Sequence, residues 1–121
     1  MLKKIAVVAV VALFIAAPTA SAHSRMISSD PKSGAVLTVL PKHVSLTFNE
    51  KLMVINKINP SKMIVTESSG IQIDKKDSKV IGTQLVVSLK SSAKPGTIRV
   101  RYHVVSEDGH HIDGTFTFKL I

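Results

Sequence analysis

The residues after position 22 predict an all-β fold, an antiparallel sandwich of roughly seven short strands. Three observations predict it. β-Branched residues crowd this part of the chain, while Ala35 and Ala93 are its only alanines. Branched side chains suit a pleated surface better than a helix. Apolar and polar residues alternate with period two in several runs, the pattern of a strand with one buried face. Clusters of turn-forming residues separate those runs: Asp30-Pro31-Lys32-Ser33-Gly34, Ser68-Ser69-Gly70, Pro95-Gly96 and Asp108-Gly109.

The first 22 residues stand apart. Lys3 and Lys4 precede an uncharged run from Ile5 to Ala17, Pro18 and Thr19 break it, and Ala20-Ser21-Ala22 supplies small residues. That order is a secretory signal peptide, cleaved after Ala22. The alternative is a transmembrane anchor, which needs about 20 apolar residues and so a longer run than this one. Cleavage leaves a single domain, residues 23–121, with no membrane-spanning segment. It lowers the net charge from +8 to +6 by removing Lys3 and Lys4. The domain then works outside the cytoplasm, where disulfides are permitted, although the chain has no cysteine.

Along the domain, short strands are expected near 25–28 and 36–40. Val44, Leu46 and Phe48 alternate with Ser45, Thr47 and Asn49 in the first strong strand. Further short strands are expected near 52–58, 62–67, 71–74 and 79–82. Leu85, Val87 and Leu89 face one way from the next strand. Ile98, Val100, Tyr102 and Val104 do so from another, and Phe116, Phe118 and Leu120 from the last. Asp74 to Lys79 reads as a solvated hairpin end. No helix longer than a turn is predicted.

Composition narrows the chemistry. Without cysteine there is no disulfide scaffold, zinc ribbon, iron–sulfur cluster or thiol nucleophile. Metal ligands must be histidine, carboxylate, methionine or a chain terminus. The lysines are scattered, tryptophan is absent and the few aromatic residues fall mostly on core positions. That leaves no stacking platform for nucleic acid. Arg99, Arg101 and His103 share an outward strand face, read as solvated surface.

Cleavage would make His23 the first residue and give it a free α-amino group. Its amine and ring Nδ1 can chelate one metal, and a second imidazole completes a three-nitrogen set known as a histidine brace. Nitrogen donors with an oxygen partner in a tetragonal plane suit Cu(II). Ser106-Glu107-Asp108-Gly109-His110 supplies the second imidazole beside a carboxylate. In extended chain, residues two apart point the same way, so Asp108 and His110 can converge on one ion, with Asp108 a ligand or its immediate support. Glu50 continues the inward parity of Val44, Leu46 and Phe48 and is either a hydrogen-bond anchor or a further ligand. His111 falls on the opposite face from His110, and His43 and His103 fall outside the core. Met26, Met53 and Met63 read as core fillers.

Three segments of the sequence resemble the CopC family of periplasmic copper-binding proteins. They are Ser29 to Leu37 following His23, Pro41 to Glu50, and Pro95 to His110 running on to Gly114-Thr115-Phe116-Thr117-Phe118. The resemblance implies a Greek-key, immunoglobulin-like β-sandwich or barrel. It implies Cu(II) held by His23, Asp108 and His110, with Glu50 at or beside the site. The family's second site, for Cu(I), lies in a methionine-rich loop. Between Glu50 and Gly70 this chain has only Met53 and Met63, too few soft ligands for Cu(I). The leading expectation is a periplasmic Cu(II) carrier or buffer, not an enzyme, that hands copper to an inner-membrane transporter of the CopD type. Two alternatives stay open: a small copper monooxygenase with a histidine brace, and a sandwich domain that binds another protein without metal.

Overall fold

The computed structural model describes residues 25–121. The leader and His23 lie outside the described residues. Eight strands form: β1 (Met26–Asp30), β2 (Val36–Leu37), β3 (His43–Phe48), β4 (Lys62–Thr66), β5 (Lys79–Ile81), β6 (Gln84–Ser88), β7 (Gly96–Val105) and β8 (His111–Leu120). They make two four-stranded sheets, in the orders β1-β3-β6-β5 and β2-β8-β7-β4. The chain changes sheet repeatedly, the crossed connectivity of a Greek-key sandwich.

The core follows from strand parity. Val44, Leu46 and Phe48 of β3 and Leu85 and Val87 of β6 point inward from one sheet. Met63 and Val65 of β4, Ile98, Val100 and Val104 of β7, and Phe116, Phe118 and Leu120 of β8 meet them from the other. Each fully buried side chain of this kind contributes about 1.5–3 kcal/mol against staying in water.

Pairing is antiparallel except between β2 and β8, which run parallel with Val36 opposite Lys119 and Leu37 opposite Leu120. A parallel neighbour needs a crossover rather than a hairpin, and β2 arrives by one from the other sheet. It is shorter than the expected strand near 36–40.

Two expected strands are absent. At 52–58 only the isolated bridges Leu52 to Ser106 and Ile55 to Ile58 form. Asn56 and Lys57 have φ of 50° and 66°. They turn the chain back tightly, so that Ile55 and Ile58 exchange backbone hydrogen bonds of 2.9 and 2.7 Å. At 71–74 only the isolated bridges Thr66 to Gln72 and Asp74 to Leu89 form, and the Asp74 side chain adds to them. Asp74 is 1% exposed, and its carboxylate accepts from the Val65 N–H at 2.8 Å and the Lys76 N–H at 3.1 Å. The solvated hairpin end read from Asp74 to Lys79 is therefore wrong at its first residue. In the last hairpin β8 begins at His111, ahead of the alternating run Phe116, Phe118 and Leu120, because all of His111–Gly114 pairs with β7.

Gly114 lies opposite Tyr102 on that hairpin. The Tyr102 ring crosses the strand over the glycine, where a Cβ would overlap it, and meets Phe48 edge-on at 5.9 Å. Burial there raises the pKa of its hydroxyl. Gly114→Ala forces the ring off Phe48 and is expected to cost about 1–3 kcal/mol. Urea unfolding measures this, with wild-type stability as the contrary result.

Candidate metal centre

The turn between β7 and β8 is built around Ser106. Its side chain and backbone are fully buried. Its N–H donates to the His110 carbonyl at 2.9 Å, and the Gly109 N–H donates to the Ser106 carbonyl at 2.9 Å. Gly109 has φ of 92°, a conformation that glycine adopts without steric cost.

Inside this turn Asp108 gathers donors. The Ser106 hydroxyl donates to its Oδ1. The His110 N–H approaches Oδ1 and the Ser106 hydroxyl, each at 3.2 Å. The His110 ring Nδ1 donates to Oδ2 at 2.9 Å. These bonds from Ser106 and His110 hold the Asp108 carboxyl down to about 2. An ionised carboxylate only accepts, so Nδ1 of His110 carries a proton, and in the neutral ring the lone pair lies on Nε2.

Asp108 and His110 are thus brought together, but by a turn and not by strand alternation. The carboxylate faces the imidazole itself. That is the geometry by which a carboxylate orients a histidine and raises its basicity as a metal ligand.

Glu50 sits beside them. Two links tie the segment after β3 to the turn: the Leu52–Ser106 bridge and a 2.9 Å bond from the Glu107 N–H to the Lys51 carbonyl. Glu50, Lys51, Glu107 and Asp108 consequently line one shallow depression of about 350 Å³. Glu107 is absent from the sequence-derived set. Strand parity, the signal that selected Asp108, says nothing about a residue inside a turn.

The start of the described chain is pinned here as well. Arg25 N–H donates to Asn49 Oδ1 at 2.8 Å, and Asn49 N–H donates to the Arg25 carbonyl at 3.1 Å. Asn49 precedes Glu50, and His23 is two residues upstream of Arg25, a reach of about 7 Å. Among the described residues alone, no three potential ligands are arranged to hold a metal.

The remaining candidates lie elsewhere. His43 and His111 are exposed. His111 turns away from Asp108 towards His103, with its Nδ1 at 3.2 Å from His103 Nε2. Met63 is 2% exposed within the core, and Met53 is half-buried, its N–H bonded to the Val105 carbonyl.

The depressed pKa of Asp108 has a testable consequence. Its carboxylate should titrate near pH 2, and Ser106→Ala should move it up towards 3.8, as read by carboxyl ¹³C shifts. A folded pKa below the unfolded one stabilises the fold above the unfolded value. That contribution is lost as pH falls from about 4 towards 2. An unshifted Asp108 in the wild-type chain would contradict the hydrogen-bonding described.

Comparison with known proteins places this geometry in context. The family model described as CopC domain matches residues 26–121. Protein YobA of Escherichia coli strain K12 is 31% identical over 113 residues, covering 93% of this chain and 90% of its own. Copper resistance protein C of Xanthomonas campestris pv. juglandis is 27% identical over 119 residues, covering 93% and 91%. Among solved structures, CopC from Methylosinus trichosporium OB3b shares the fold with a TM-score of 0.69 at 23% identity, over 81% of this chain and 93% of that one. PcoC, a methionine-rich copper resistance protein from Escherichia coli, has a TM-score of 0.67 at 25% identity, over 83% and 100%.

Proposed function

The chain belongs to the CopC family, and from that premise we propose that it binds Cu(II) outside the cytoplasm, as a buffer or carrier rather than an enzyme. The ion is held by the amine and imidazole of a processed His23 and by the His110 imidazole. Asp108 fixes the His110 ring and lends its charge, and Glu50 faces the same depression. Copper passes on to an inner-membrane transporter of the CopD type.

The observation that carries this reading is the Ser106–Asp108–His110 constellation: an imidazole oriented by an ionised carboxylate, which a buried hydroxyl in turn holds in place. Metal-binding histidines are commonly oriented in this way. The Arg25–Asn49 bonds support the third participant, because they hold the first described residue, two positions after His23, beside Glu50. The leader pattern before His23 supports both processing and export.

Cu(II) is favoured over Cu(I) by the donors. Soft thioethers select Cu(I), but Met63 is committed to the core and the whole chain holds 4 methionines. A carrier is favoured over a polysaccharide-cleaving enzyme by the aromatic residues. Phe48, Phe116 and Phe118 are buried and Tyr102 packs on them, so they cannot stack on a polymer.

Affinity for the first equivalent of Cu(II) tests the assignment. One extra residue before His23 removes the terminal amine and should weaken binding on the order of 100-fold, about 2.7 kcal/mol. His110→Ala should do likewise. Asp108→Asn should cost about 10–100-fold, whereas His111→Ala should change that first step little. Equal affinity of the processed and extended chains would overturn the three-nitrogen site.

A further inference from the structure

The hairpin register places three polar side chains together on the outer face of the second sheet. His103 lies opposite Asp113, and Val105 lies opposite His111. Residues two apart share a face, so His111 and Asp113 flank the same side of β8, with His103 facing the latter and diagonal to the former. Their rings confirm the grouping, with His103 and His111 centroids 5.2 Å apart at 46°.

We propose that His103 and His111, oriented by Asp113, bind a divalent imidazole-preferring cation such as Zn²⁺ or Cu²⁺, independently of the site at Asp108 and His110. Asp113 Oδ1 lies 2.6 Å from His103 Nδ1. Ionised, it accepts the Nδ1 proton and leaves the lone pair of His103 on Nε2. That nitrogen faces His111 Nδ1 at 3.2 Å. Without metal, His111 donates a proton across this gap. In its other neutral tautomer it presents a second lone pair to the same point.

The spacing selects the kind of ion. Imidazole nitrogens sit about 2.0–2.1 Å from Zn²⁺, so two of them 3.2 Å apart subtend roughly 100° at the metal. That angle lies between the square-planar and tetrahedral values. A linear two-coordinate ion such as Cu(I) needs the nitrogens about 4 Å apart instead. The side chains of His103 and Asp113 are 44% and 78% exposed, so water can complete the coordination. Asp113, His103 and the ion then form a carboxylate–histidine–metal relay.

Lys62, opposite His103 on β4, and Arg101, which lines a shallow depression together with Lys62, His103 and Asp113, oppose a cation. With two protein nitrogens and these charges nearby, the site should fill after the Cu(II) site.

Imidazole ¹⁵N shifts provide the test, with Zn²⁺ as a diamagnetic probe. Zn²⁺ is added to the processed chain carrying both His23→Ala and His110→Ala, which removes both imidazoles of the Cu(II) site. Nε2 of His103 and Nδ1 of His111 should shift together and saturate at one ion per chain, while His43 stays unmoved. His103→Ala and His111→Ala should each lower the affinity at this site at least ~10-fold, and Asp113→Asn about 10–100-fold. These side chains are on the sheet surface, and thermal unfolding checks that each variant keeps its fold. If Zn²⁺ leaves both nitrogens unshifted, or if neither histidine substitution weakens binding, the proposal is overturned.

Discussion

Ten consecutive residues of β7 pair with ten of β8, from Gly96 opposite Leu120 to Val105 opposite His111, and the buried Ser106 closes the chain at the far end of that ladder. Inward side chains of the hairpin, Ile98, Val100, Val104, Phe116 and Phe118, form much of one wall of the core. Fixing them fixes the register, and the register fixes where the turn falls. A slip of one residue would send every side chain to the opposite face. Asp108 and His110 therefore inherit their positions from packing far below them.

The hairpin does not make the site alone. Leu52 pairs with Ser106, Glu107 bonds to Lys51, and Arg25 bonds to Asn49. Three separate stretches of chain are thereby held at one edge of the sandwich. Glu50, Glu107 and Asp108 outweigh Lys51 and leave negative charge around one depression on a chain whose net charge is +8. Such a local reversal attracts a cation where the average surface repels it. The histidines on the outer sheet face have Asp113 as their acidic partner and lysine and arginine as neighbours, which argues for a weaker hold.

Much of this was legible in the sequence, and the parts that were not share a cause. The alternation of Val44, Leu46 and Phe48, or of Ile98 and Val100, reports burial directly, because a strand has only two faces. The short strand expected near 52–58 does not form, because a tight turn with positive φ at Asn56 and Lys57 leaves Ile55 and Ile58 exposed. Asp74 looked like surface because its burial depends on accepting the N–H of Val65, a residue nine positions away. Asp108 and His110 stood out through local spacing. The partnership of His103 with His111 did not, because parity assigns a face but only the cross-strand register says which residues meet on it. Glu107 escaped for the opposite reason, lying in a turn where parity has no meaning.

Electron paramagnetic resonance of the processed chain loaded with one equivalent of Cu(II) tests the central claim most directly. The amine and ring of His23 and the ring of His110 should give a tetragonal spectrum with coupling to three nitrogens, one of which disappears in His110→Ala. A spectrum of oxygen donors alone, or nitrogen couplings unchanged by His110→Ala, would contradict a copper site assembled from the processed chain start and the β7–β8 turn.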